Sequence, residues 1–287
     1  MHPDHRLRRR TCFAAALALA GSPGVVRAAS PARTWTLSVV PQFPPAKVQR
    51  DWTPLIDRIA RDAGVTLRLV LQPSIPAFES ELLAGRADFA YLNPYHQLMA
   101  HRAQGLLPLV RDSHLLSGIL VVRQDDPVRD VQGLAGREIA FPAPNAFGAS
   151  LWMRALLTER ERLDFRPVYV QTHGNVYRQV ASGRMAAGGG IAQTLAQERD
   201  EVRDALRVLM ETPGAAPHPI SAHPRVPEAV RRAVGGALLN MARDPAGREL
   251  LRDIQMPDPV VADQRRDYAP LADIRLERYV VNAEGAP

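Results

Sequence analysis

Asp88-Phe89-Ala90-Tyr91-Leu92-Asn93-Pro94 holds a strand, its end and a helix start within seven residues. The apolar and aromatic run reads as a short buried strand. Asn93-Pro94 turns it into a helix pattern over Tyr95 to Gln104. Upstream, Trp35 to Val40 reads as a strand ending at the turn Pro41-Gln42-Phe43-Pro44-Pro45. In Trp52 to Ala63, Trp52, Leu55, Ile56, Ile59 and Ala60 recur near helical spacing, and Gly64 follows as a cap. Val65 to Leu71 is a second strand, and Ile75 to Leu83 a helix stopped near Gly85. The order strand, helix, strand, helix, strand, helix predicts a parallel sheet with helices packed on it. Leu107 to Val110 and Ser117 to Val122 add two strand candidates.

The pattern then restarts. Glu138 to Phe141 is a strand, Pro142 to Gly148 a loop, and Ala149 to Glu159 a helix. Phe165 to Val170 and Gly174 to Ala181 repeat strand and helix. Met185 to Ile191 is a glycine-rich strand, and Leu206 to Met210 another. Val226 to Met241 and Ala246 to Ile254 are helical, and Tyr268 to Val280 reads as a small helix or wrapped tail. The fold class is therefore α/β with two lobes, and crossings are expected near Leu120 to Arg123 and near Met210 to His218. The domains are 1–28 leader, 34–121 first lobe with a return over 216–256, 122–215 second lobe, and a tail over 257–287 packed on the first lobe. Ligands of open parallel sheets bind beyond the carboxyl ends of the strands, which here is the cleft.

The first residues decide the compartment. Arg6, Arg8, Arg9 and Arg10 precede an apolar run from Thr11 to Ala20 and a small-residue exit ending Arg27-Ala28-Ala29-Ser30. That is the pattern of an export signal cleaved near Ala28, which places the mature protein in the periplasm. The run is too short to span a bilayer, which takes about 20 residues. Residues 1–28 carry five Arg and one Asp, so of 36 basic and 30 acidic side chains the mature chain keeps 31 and 29, and the formal charge falls from +6 to +2. A basic face for nucleic acid has no bulk support. The one cysteine, Cys12, lies in the leader, so disulfides and thiolate chemistry are excluded from the mature chain.

No His-Glu-x-x-His, nucleophile elbow, P-loop or dinucleotide fingerprint occurs. No enzyme activity, cofactor or metal site is expected, since the histidines show no helix spacing suited to a metal. Gly188-Gly189-Gly190 marks either close backbone packing or ligand contact. The strongest local site is Asn145-Ala146-Phe147-Gly148, where a strand's exit loop opens a helix whose first N–H groups favour an anion. Asn145 can cap that helix or bind ligand. His173, between a strand and a helix, is a ligand donor or a satisfied surface histidine. Tyr91, Asn93 and Tyr95, with His96, cluster at a strand end and either wall a pocket or pack the core; Phe43 and Phe78 hold equivalent strand-to-helix points. His218 and His223, in a Pro-rich crossover, are read as structural or hinge residues.

The chain resembles the periplasmic binding proteins of phosphate, phosphite and phosphonate ABC transporters. Val39-Val40-Pro41, Trp52-Thr53-Pro54-Leu55, Gly85 to Tyr91, Gly133 to Phe141 and His173-Gly174-Asn175-Val176 carry the likeness, which runs from about Thr36 to Met256. The resemblance implies a type II two-lobed fold, each lobe a mostly parallel sheet flanked by helices. It implies a monomer that closes over a small oxyanion and hands it to an inner-membrane ABC permease. The alternative is a sensor subunit signalling to a membrane histidine kinase. The family usually places a Ser-Thr-Ser-Gly run where Asn145 to Gly148 stand, and an acidic residue for a ligand amine where Gly188 to Ile191 stand. Both are replaced here, which argues against an aminoalkylphosphonate. His173 matches the family's binding histidine.

Overall fold

The computed structural model describes Met1 and residues 33–281, so the expected export signal and its expected cleavage near Ala28 lie outside the described residues. The first lobe opens with β1 (Thr34–Val39), α1 (Pro45–Ala63), β2 (Thr66–Leu71), α2 (Ile75–Leu83), β3 (Phe89–Tyr91), α3 (Pro94–Gln104) and β4 (Leu107–Asp112). The second holds β5 (Gly118–Arg123), β6 (Glu138–Phe141), α4 (147–160), β7 (Arg166–Tyr169), α5 (His173–Ala181), β8 (Ala187–Ile191), α6 (Ala192–Ala196), α7 (Asp200–Asp204) and β9 (Leu206–Glu211). The return adds β10 (Ile220–Ala222), α8 (Glu228–Met241), α9 (Pro245–Asp253) and β11 (Pro259–Val261) to the first lobe. α4 is wide, with i to i+5 bonding, over Phe147–Trp152, α-helical over Met153–Ala155, and wide again over Leu156–Arg160.

α1 begins at Pro45, a turn and more ahead of the expected Trp52. Proline at the first helical position loses no hydrogen bond, because that N–H is orphaned anyway. Pro44-Pro45 therefore starts the helix that it was read as preceding. Its buried stripe is Val48, Trp52, Leu55, Ile56 and Ile59, and Gly64 ends it at φ 65°. α3 starts as the Asn-Pro pair demands: the Asn93 side chain accepts from the His96 N–H at 2.8 Å, and Pro94 takes the first helical position.

The first sheet has the order β11-β4-β10-β3-β1-β2 and the second β7-β6-β8-β5-β9. β1 pairs parallel with β2 and β3, while β10 runs antiparallel between β3 and β4. β6 pairs parallel with β7 and β8, and β5 runs antiparallel between β8 and β9. β11 pairs antiparallel with β4 at the edge of the first sheet, so most strands of each sheet run one way, while β10 and β11 in the first and β5 in the second run against them and make both sheets mixed.

β5 lies wholly in the second sheet, so the first crossing precedes Gly118 and is not at Leu120 to Arg123. Its continuous apolar run comes from burial on both faces. Leu120 and Val122 join Ile139, Phe141 and Leu157, whereas Ile119 and Val121 join Val176, Tyr177 and Val180. At the crossing, Leu116 and Ala215 exchange backbone bonds of 2.8 and 3.0 Å, tying the outgoing strand to the returning one.

The triple glycine of β8 is close packing. A Cβ on Gly188 would strike Val176, one on Gly189 the Ala149 carbonyl, and one on Gly190 the Tyr177 hydroxyl. After β11 the chain turns along α3. Its last turn, Leu276–Tyr279, then reaches α4 of the second lobe. The tail therefore touches both lobes and not the first alone.

Candidate functional site

The carboxyl edges of the two sheets face one cleft. From the first lobe, Tyr91 at the end of β3 is buried, 4.8 Å from the Trp52 ring and stacked 5.4 Å from His218. His218 Nε2 lies 2.9 Å from Gln42 Nε2. An amide nitrogen only donates, so His218 accepts at Nε2 and keeps its proton on Nδ1. Burial, and then the neighbouring His96 and His173, push its pKa down to about 3. His96 sits 2.8 Å from Glu79 through Nε2, over the Phe78 ring, with Nδ1 buried and unpartnered.

From the second lobe comes His173, the first residue of α5 and 1% exposed. Burial lowers its pKa to about 4, so it is neutral at pH 7. Its Nδ1 lies 3.4 Å from the Thr194 hydroxyl, which is itself 2.6 Å from the Tyr177 hydroxyl and 2.9 Å from the Ile191 carbonyl. Its Nε2 is buried with no partner. His96 and His218 of the first lobe and His173 of the second thus lie close to one another. Among the described residues no group of His, Cys, Asp or Glu is arranged to hold a metal ion.

At the start of α4, the N–H groups of Ser150 and Leu151 both reach the Ala146 carbonyl, at 2.8 and 3.0 Å. The amides of Phe147, Gly148 and Ala149 come before any intrahelical acceptor, the normal condition of a helix start. Phe147 is buried with its ring 5.4 Å from Trp152. Gly148 lies so near Gly118 that a Cβ on Gly118 would meet the Gly148 carbonyl.

Asn145 does not cap α4; Ala146 stands at that position. The Asn145 side chain donates to the Val281 carbonyl and accepts from the Val281 N–H, both at 3.0 Å, and also donates to Glu79 at 3.0 Å. Its amide matches a backbone donor–acceptor pair of the tail, and its oxygen makes no bond to the helix start. Asn93 donates to the Asn145 carbonyl at 3.2 Å, joining the lobes at the cleft's edge. Of the predicted residues, Tyr91, Asn93, Ala146, Phe147, Gly148 and His173 therefore stand at the facing edges. Phe78 is core beneath His96. Phe43 is half-buried under Lys47, whose Nζ lies 4.9 Å from the ring centre. Tyr95 lines a side cavity of about 320 Å³ with Glu79, His96 and Asn145.

The cavity between the lobes measures about 460 Å³ and is walled by Tyr91, His218 and Gln255 from one side and Ile191 and Gln193 from the other. His218, expected in a structural or hinge role, faces the cleft. Its flanking prolines suggested a crossover, while its position just ahead of β10, beside β3, is what buries it against Tyr91. Gln42, Gln193 and Gln255 had no sequence signal beyond lying just past the ends of β1, β8 and α9.

The chain is similar to proteins of known structure. A binding protein component of an ABC phosphonate transporter from Pseudomonas aeruginosa superposes with a TM-score of 0.76 at 12% identity, covering 88% of this chain and 91% of that one. A Prochlorococcus marinus protein in complex with methylphosphonate gives 0.76 at 12%, covering 86% and 99%. A Xanthomonas citri protein bound to chloride ion gives 0.71 at 17%, covering 86% and 99%. No sequence among the curated proteins matches. Residues 37–268 match the family model described as ABC transporter, phosphonate, periplasmic substrate-binding protein. With that match over most of its length, the chain belongs to the family of periplasmic substrate-binding proteins of ABC phosphonate transporters.

Proposed function

We propose that the protein is exported by its N-terminal signal, cleaved near Ala28, and captures a small phosphorus oxyanion between its lobes for an inner-membrane ABC permease. It acts as a monomer and by binding alone, without turnover. The observation that supports this reading above the others is His173: fully buried, neutral, with Nε2 unpartnered, on the same sheet edge as the open amides of Phe147 to Ala149. A buried polar group without a partner is costly, and a ligand oxygen would supply one. The single Thr194 proton goes to the Ile191 carbonyl, so the imidazole donates from Nδ1–H to Thr194 and leaves Nε2 an acceptor that meets a ligand oxygen through a proton, taken up with the anion or carried on it as P–OH. The amides of Phe147 to Ala149 are neutral donors and suit an oxyanion that must later be released, because they stabilise its charge without an ion pair. Tyr91 and Asn93 complete the wall from the first lobe, and closure excludes water and strengthens these contacts.

Calorimetry with phosphate, phosphite and methylphosphonate tests this directly. His173→Gln and His173→Ala are expected to weaken binding by on the order of tenfold or more, the loss of one buried hydrogen bond to a charged group. Unchanged affinity in both variants would remove His173 from the site.

A further inference from the structure

Two polar atoms of the interlobe cavity are buried without any partner, Oε1 of Gln193 and Nε2 of Gln255. They come from opposite lobes, Gln193 from α6 and Gln255 from the turn after α9. Gln193 is oriented because its Nε2 donates to the Leu115 carbonyl at 3.3 Å, which turns the oxygen the other way. Gln255 is held at φ 64°, a left-handed conformation rare outside glycine, by the flanking bonds Gln255 N–H to Arg252 and Met256 N–H to Leu251. The cavity thus offers one acceptor lacking a donor and one donor lacking an acceptor.

The charges narrow the class of group that fits. Among the described residues the lining has one carboxylate, Asp112, and one arginine, Arg252. Asp112 is spent within the protein. Its Oδ1 accepts from the His114 N–H at 2.9 Å and the His114 ring at 2.7 Å, and its Oδ2 from the Asp258 N–H at 2.8 Å. Little acceptor capacity is left for an ammonium group. Arg252 is exposed, and its guanidinium suits a carboxylate fork to fork.

We propose that this cavity receives the organic arm of the ligand, and that the arm is acidic. A carboxylate meets Arg252 and the Gln255 Nε2, and a neighbouring hydroxyl or amide N–H donates to the Gln193 Oε1. The inference rests on the reading that the ligand's phosphorus head sits at His173. At about 460 Å³ the cavity has far more room than a methyl substituent needs.

The test is calorimetry of the mature protein with methylphosphonate, aminoethylphosphonate, phosphonopropionate and phosphonolactate, together with succinate and malate, which carry an acid arm but no phosphorus head. Phosphonopropionate is expected to bind at least about tenfold tighter than methylphosphonate, and phosphonolactate tighter again, on the scale of one charged and one neutral hydrogen bond. Arg252→Gln, an exposed position that leaves folding intact, erases the first gain; Gln193→Leu erases the second. Aminoethylphosphonate binding tightest, or phosphonopropionate binding no better than methylphosphonate, overturns the acidic arm while leaving the head in place. Succinate or malate binding through Arg252 with no phosphonate bound overturns the head and keeps the arm. A series in which nothing binds overturns both.

Discussion

His173 and His218 carry most of the pH sensitivity that this site can show. Both are buried neutral, at about 4 and about 3 against an ordinary value of 6.5. A base whose folded pKa is depressed binds more protons when unfolded, so stability falls as pH drops below 6.5 and keeps falling until the folded pKa is reached. Each imidazole removes about 3 kcal/mol by pH 4. The melting temperature is expected to fall steadily between pH 6.5 and 4.5, above the range where the ion-paired carboxylates Asp88 and Asp267, both held low, begin to protonate. His218→Gln should flatten that slope; a melting temperature constant across the window in the native protein would contradict the burial of neutral imidazoles. An oxyanion bound at His173 stabilises the protonated ring and raises its pKa, so binding takes up protons. Calorimetry in buffers of different ionisation enthalpy measures that uptake directly.

At the level of elements, β8 shows how glycine sets the distance between layers. Its three glycines let α4 and α5 lie directly on the strand, which brings the start of α4 and the start of α5 to the same edge of the second sheet. Gly189→Ala places a methyl against the Ala149 carbonyl and the Phe141 ring. A loss of about 1–3 kcal/mol or more is expected, the cost of overpacking. Gly236→Ala is the opposite case: it lies inside α8 with nothing within 4 Å of an added Cβ, and a gain of about 0.5–1 kcal/mol is expected from helix propensity. Denaturant unfolding of the two variants checks both signs. The alternation of elements was legible because strands of apolar residues and helices with 3.6-residue stripes differ in period. The crossing before Gly118 was not, because a strand buried on both faces shows no alternation and no break at its start. The role of Asn145 was equally invisible: its partner Val281 lies 136 residues away, and no local pattern announces such a pairing. His173 was legible as a site candidate, whereas His218 acquires its meaning only when β10 is inserted beside β3.

Across the whole molecule, the lobes are joined by the paired crossing at Leu116 and Ala215 and, away from it, by the tail. Arg154 of α4, 8% exposed and with its pKa lowered by burial, donates to the Pro144 carbonyl at 2.8 Å and to the Tyr279 carbonyl at 2.7 Å. The Tyr279 hydroxyl reaches Glu159 at 3.1 Å, and Asn145 binds Val281 twice. Ending the chain at Arg275 removes these links and leaves the buried guanidinium short of an acceptor. The truncated protein is expected to populate open forms and to bind its ligand on the order of tenfold more weakly, since affinity scales with the competent fraction. Small-angle scattering with calorimetry measures both, and an unchanged profile and affinity would show that the tail does not hold the lobes together. The tail's course has a practical consequence as well. The sequence carries a single thiol, Cys12, which the proposed cleavage near Ala28 removes. Arg278 is exposed and stands 3.6 Å from Glu159 across the seam. An Arg278→Cys substitution in the mature chain would therefore be the sole attachment point for an environment-sensitive dye. A dye there would sit where the seam parts, making the protein a reagentless optical reporter of its own solute.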